Sequence, residues 1–211
     1  MITVKLLDTV SQIEDKVNQA IAEKANEILI QNKTNILQKC RSLISGWVSS
    51  QPEMQSLQSS VPGSLAGQFG LYPGQSISTV GTIIRAVENS ITIDLKKFNR
   101  KLSGGLEVNF QPSSFINLLS LPQGFVNYEN GSLHWLQWLL LKGDTVIVVN
   151  YQYNPSSGIG RSGLGNMVSG GFFRVPPQFS GTDKDNFITR ALIGPSQEEA
   201  IVKIFKDVLG A

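Results

Sequence analysis

Between Pro155 and Thr182 the chain holds seven glycines and three prolines, and its only charges there are Arg161 and Arg174. No helix of useful length can cross such a stretch. Glycine gives up the most backbone freedom on ordering, and proline lacks an N–H and clashes inside a helix. The stretch is also too long for an ordinary connection and too apolar for a disordered linker. It therefore reads as an extended loop or arm over residues 154–184 within a single domain spanning 1–211, with FFRV (172–175) as a candidate strand inside it. Large apolar side chains on a long loop point to a partner. Arg161, Met167, Phe172, Phe173, Arg174, Val175 and Phe179 are accordingly the candidate interface residues. The alternative is that the segment folds back over its own sheet.

The same stretch opens with Gly158-Ile-Gly160-Arg-Ser-Gly163, the spacing of a dinucleotide-binding turn. That turn works only between a strand and a helix whose N-terminus meets the pyrophosphate. Here DTVIVVNYQY (144–153) supplies the strand, but LGNMVSGG is a poor helix former. No second strand–helix–strand unit is present to carry Asp183. The glycines are expected instead to permit tight turns and close backbone approach.

Around the stretch, periodicity organises the chain. Val10, Ile13, Val17, Ile21, Ala25 and Ile28 recur every three or four positions, as do Ile36, Leu37, Cys40, Leu43, Ile44 and Trp47 after a capping Thr34. The pair reads as one long helix broken near Asn32 or as an antiparallel helical hairpin. Residues 59–75 are expected to form a loop with room for one helical turn, and Ile77, Val80, Ile83, Ile84 and Val87 mark another helix. Segments 91–98 and 106–110 alternate as a β-hairpin, and short helices are expected at 113–120 and 132–142, the latter capped by Ser132. Segments 185–192 and 196–210 close the chain as helix, with Ser196 and Glu199 as a capping box. The class is α+β: long N-terminal helices and a C-terminal helix packed on a small antiparallel β-sheet, with a long Gly/Pro-rich arm.

Composition narrows the chemistry. The formal net charge is +2, so no global field marks a nucleic-acid or membrane binder. Cys40 is the single cysteine, which excludes an internal disulfide and a multi-thiolate zinc site. The start MITVKLLDTVSQIEDK lacks a basic segment followed by an apolar run, and LHWLQWLLL is too short to span a bilayer. A soluble, intracellular chain without signal peptide or membrane partner is expected. Ser162 resembles a nucleophile elbow, but Leu164 stands where the motif needs glycine. The only histidine, His134, sits in an apolar segment as the sole base for such a hydrolase. No metal-ligand spacing or cofactor motif occurs, and no enzyme activity is expected. Lys96, Lys97, Arg100 and Lys101 are the one basic cluster, a candidate DNA contact on a hairpin turn.

The order of long helices, small sheet, LHWLQWLLLKGDTVIVVNY, RSGLGNM, FFRVPPQFSGT and DNFITRAL resembles structural proteins from the neck of tailed bacteriophages, the tail-completion or head–tail connector family. The likeness has motif content over roughly 130–210 and holds in outline over 1–110. In that family terminal helices pack on a small antiparallel sheet. A Gly-rich loop precedes a Phe-x-x-Arg/Pro-Ala-Leu pattern, matched here by Phe187, Arg190, Ala191 and Leu192; the Gly/Pro stretch of this chain is longer than the family's usual loop. The resemblance implies a virion structural protein joining capsid portal to tail as a ring of about six or twelve copies. It would contact neighbouring head, neck and tail proteins and the genome DNA passing its lumen, and would reside in the host cytoplasm until assembly. A tail terminator, or another tail or baseplate protein, is the nearest alternative.

Overall fold

From Val10 to Ser49 the chain contains no proline and a single glycine, Gly46, so nothing interrupts the helical ladder. In the computed structural model, which describes residues 8–72, 74–112, 114–129, 131–157 and 160–210, these forty residues form one unbroken helix, α1 (Val10–Ser49). The expected break near Asn32 is not formed. The Asn32 side chain stays within the helix and donates from Nδ2 to the Ile28 carbonyl at 2.9 Å, and Thr34 is interior rather than a cap. There follow α2 (Pro52–Gln58), α3 (Leu65–Gln68) and α4 (Gln75–Ser90), then strands β1 (Thr92–Lys96) and β2 (Gly105–Asn109). The chain continues through α5 (Ile116–Leu119), β3 (Val126–Tyr128), β4 (Gly131–Leu133) and α6 (Trp135–Gln137). It ends with β5 (Val148–Asn154), β6 (Asn166–Phe173), α7 (Phe187–Leu192) and α8 (Pro195–Leu209). The protein is α+β, with a long N-terminal helix and a C-terminal helix. Among the described residues the strands form separate antiparallel ribbons, β1–β2, β3–β4 and β5–β6, rather than one small sheet. No described helix is long and apolar enough to cross a membrane.

Two compact units share the chain, one built from residues 1–40, 92–109 and 200–211, the other from 41–91 and 110–199. In the first, Ile36, Cys40 and Ile93 form the buried centre, covered by Leu106 and Val108 of β2 and by Ile201, Ile204 and Phe205 of α8. The alternation of β1 and β2, with Ile93 opposite Val108 and Leu95 opposite Leu106, puts the apolar set on one face. Burial pushes the Cys40 thiol up from its ordinary pKa. Along α1 the buried apolar residues are Ala22, Leu29 and Ile36, spaced by seven, and then Cys40, Ile44 and Val48, whereas the expected core residues Val10, Ile13, Val17 and Ile21 are exposed. Helix α8 begins at Pro195, where a missing N–H costs nothing, so Ser196 lies inside the helix and not at its cap.

One side chain ties the β1–β2 tip to α1. Asn26 donates from Nδ2 to the Phe98 carbonyl (3.0 Å) and accepts from the Phe98 N–H at Oδ1 (2.7 Å), imitating a strand partner. Each bond is worth roughly 1 kcal/mol, so Asn26→Ala is expected to lose about 2 kcal/mol in denaturant unfolding. A loss below about 0.5 kcal/mol would show that the tip is held elsewhere.

The second unit surrounds Trp135, which is fully buried and stacks on Phe69 with ring centroids 5.2 Å apart. Helix α4 contributes Val80, Ile83 and Val87, and α7 contributes Phe187, Ile188 and Ala191. The expected helix over 132–142 is formed from Trp135 to Lys142 and ends at Gly143, but its first residues are strand and its second half is wound as a π-helix. Ser132 pairs with Asn127 in the β3–β4 ribbon, and α6 passes into a wide π turn over Trp138–Lys142. Its loosened carbonyls find partners far along the chain. Gly181 N–H donates to Trp138 O (3.1 Å), and Asn186 Nδ2 donates to Leu140 O (3.3 Å). Asn186, also fully buried, accepts from the Ile188 and Thr189 amides and so caps α7.

Candidate binding site

Strands β5 and β6 are long enough to pair through six residue positions, from Val148 with Phe173 to Asn154 with Asn166. The expected reading of the Gly/Pro-rich stretch is thereby corrected: residues 166–173 are a paired strand and not part of a free arm. The strand begins at Asn166, ahead of the expected FFRV segment, and enters that segment only as far as Phe173. Residue alternation then sends neighbours to opposite faces. Val148, Tyr153, Met167 and Phe173 turn to one side, Val149 and Phe172 to the other. A bulge between Val149 and Tyr151, with Asn150 at φ 66°, accommodates the shift in register.

The connection between the two strands is pinned at its base. Gly160 N–H donates to Gly165 O at 2.9 Å, and a Cβ on Gly160 would collide with that same oxygen. Glycine is needed here for backbone approach. The next element is strand β6, so the strand–turn–helix that a pyrophosphate requires is not formed. Gly158 and Ile159 lie outside the described residues. Tyr153 donates its hydroxyl to Leu164 O (2.6 Å), and Ser162, almost fully buried, donates to Gly67 O (3.4 Å). Arg161 donates to Asn127 O (2.6 Å), its guanidinium carbon 4.8 Å from the centre of the Tyr72 ring.

Between this connection, α3, the β3–β4 ribbon and the inner face of β5–β6 lies a cavity of about 490 Å³. Aromatic and aliphatic groups dominate it: Phe69, Tyr128, Trp138, Tyr153, Met167 and Phe173. Two polar atoms in its lining residues, Trp138 Nε1 and Asn166 Oδ1, are buried without a partner among the described residues. Both atoms are sealed from solvent and not on the cavity surface, so what the cavity presents is mainly its apolar, aromatic wall, which suits the apolar side chains of a partner segment. No local pattern in the sequence marks this set, because Trp138, Asn166 and Tyr128 come from three elements.

The seven expected interface residues divide. Val175 is fully buried within its own unit, which corrects its assignment as a partner contact, and Phe173, almost fully buried, lies on the cavity wall. Arg161 and Met167 line the cavity. Phe172 is 52% exposed on the outer face beside Val149 at 67%, with the Arg174 guanidinium 5.6 Å from its ring. Arg174 also pairs with Asp144 at 3.0 Å. Phe179 is half-buried, in a turn closed by its N–H to Pro176 O.

The residues considered for hydrolysis are engaged otherwise. The Ser162 hydroxyl is committed to a backbone carbonyl. His134 stacks on Phe125 with ring centroids 4.0 Å apart, and burial holds its pKa below the ordinary value. It is not among the cavity-lining residues that include Ser162. Among the described residues no group of three His, Cys, Asp or Glu could hold a metal ion. In the other unit, Lys96, Lys97, Arg100 and Lys101 are exposed at the end of the β1–β2 hairpin. Lys96 pairs with Glu107 at 2.5 Å, which raises its pKa. No protein family, curated protein or solved structure matches the chain.

Proposed function

We propose that this protein is a structural component of a bacteriophage neck, assembling as a ring that joins the capsid portal to the tail as a head–tail connector or tail-completion protein. The observation that carries the reading is the two-sided β5–β6 ribbon. One face opens on the peptide-sized cavity, and the other presents Val149 and Phe172 to solvent. A ring subunit must hold neighbours on more than one side at once, and a ribbon with two binding faces meets that demand. The matched pattern at Phe187, Arg190, Ala191 and Leu192 supports the same reading. No turnover is part of it; the protein acts by binding.

Val149→Ser combined with Phe172→Ser tests it. Both positions are exposed, so stability should change by less than about 1 kcal/mol. Phage carrying the double variant should accumulate filled heads and finished tails that fail to join. Infectious particles at wild-type yield would refute the assignment of this face.

A further inference from the structure

Helix α1 carries an apolar stripe that its own unit does not cover. Val10, Ile13, Val17 and Ile21 recur at helical spacing, and Val10 and Val17 are 70% and 51% exposed. The stripe lies roughly a third of a turn around the helix from the packing line of Ala22, Leu29 and Ile36. Followed toward the C-terminus, it runs through Ala25 and Ile28 into a groove of about 540 Å³. Phe98 of the hairpin and Val202, Phe205 and Leu209 of α8 form the rest of that groove.

We propose that copies of this chain join head to tail, the α1 stripe of one copy lying in the groove of the next. Stripe and groove wall belong to one continuous helix, so a copy cannot bend its own stripe into its own groove, whereas the stripe of a second copy can enter it. The charges beside the two surfaces are complementary. From Asp8 to Ile21, the span of the stripe, the chain carries three carboxylates against one lysine. The hairpin (92–109) holds four basic residues against two acidic ones, whereas α8 holds Lys203 and Lys206 against Glu198, Glu199 and Asp207, so the positive excess lies on the hairpin. An acidic helix with anchors at i, i+3, i+7 and i+11 suits an apolar groove bordered on its hairpin side by basic residues. The same acidity disfavours an anionic lipid surface or nucleic acid as the occupant of the stripe. The contact is heterologous, so repetition closes a ring or extends a filament. It uses a surface separate from the β5–β6 ribbon and does not depend on the phage assignment.

Two single variants of the full chain test it, each at a half-exposed position where folding should be retained: Val17→Glu in the stripe and Val202→Glu in the groove. The wild type, studied by sedimentation at about 100 µM, should form species larger than a dimer, and each variant should weaken self-association about thirtyfold or more. The circular dichroism spectrum should be unchanged in both. An equimolar mixture should give a one-to-one heterodimer and nothing larger, because one intact stripe and one intact groove remain between the two chains. Self-association lost only with Val17→Glu would mean that stripe meets stripe, and that result, like a mixture that stays monomeric, would overturn the proposal. So would a monomeric wild type, including one that binds vesicles of anionic phospholipid. Loss of the neck assignment alone would leave these outcomes unchanged.

Discussion

Arg190→Ala is expected to lower the unfolding free energy by about 3–5 kcal/mol at neutral pH, far more than removal of an exposed arginine normally costs. The reason lies in its partner. Glu53, in the first turn of α2, is fully buried, and Arg190 of α7 is the cation paired with it. Arg190 also reaches Asp185 at 2.6 Å, but that carboxylate is exposed and can be solvated instead. Burial holds the Glu53 carboxyl above its ordinary pKa even with the guanidinium beside it. Removing the arginine leaves a buried charge without compensation. Glu53→Gln, which removes the charge itself, should cost much less. The pH dependence has a fixed sign. The folded pKa is raised, so Glu53's contribution is fully present below its ordinary value near 4.5 and is lost as pH rises through the folded value. Acidification should therefore shrink the defect of Arg190→Ala, and Glu53→Gln should abolish this dependence. An Arg190→Ala protein within about 1 kcal/mol of wild type at pH 7 would show that Glu53 is not held as described.

Gly181→Ala should be at least as damaging, with a loss of about 4 kcal/mol or more. A Cβ at this position would collide with the Leu139 carbonyl oxygen and stand 2.6 Å from its carbon. The obstacle is backbone, so no side-chain rotation relieves it. Gly181 cannot retreat without breaking its bonds to Trp138 O (3.1 Å) and from Gly143 N–H (2.8 Å). These bonds satisfy the widened π turn that places Trp138 at the cavity, so the substitution should also disturb Trp138 fluorescence. Gly46→Ala provides the contrast: it lies in α1 with nothing within 4 Å of an added Cβ. There alanine should stabilise by about 0.5–1 kcal/mol. Equal effects from the two substitutions would contradict the packing described at Gly181.

Legibility in the sequence tracks the range of the interactions. Helices α1 and α4, the β1–β2 hairpin and strand β5 rest on local periodicity, and each is visible as a run of apolar residues at period 3.6 or 2. The packing face of α1 is not, because Val10, Val17 and Ile21 are as apolar as Leu29 and Ile36, and only tertiary contacts choose between them. The 132–142 segment is legible as helix, but its start and its winding are not, for a related reason. Its leucines and tryptophans suit a helix, but Ser132 is held in a ribbon and the π turn depends on Gly181 and Asn186, some forty residues away. Phe173 and Val175 are a milder case. Strand alternation applied across Phe172 and Phe173 turns one outward and the other inward. Glu53 gives no warning at all, since its partner Arg190 lies 137 residues along the chain. The glycines of the G-x-G-x-x-G run are interpretable because the sequence after them cannot form the helix a nucleotide needs.

Whether this protein forms a ring in the phage neck can be decided by counting it. Quantitative mass spectrometry of purified virus particles, referenced to the major capsid protein, gives copies per particle. About six or about twelve are expected, the number in one symmetric ring. None at all, or copies in the hundreds as in a capsid shell or tail tube, would contradict the neck assignment.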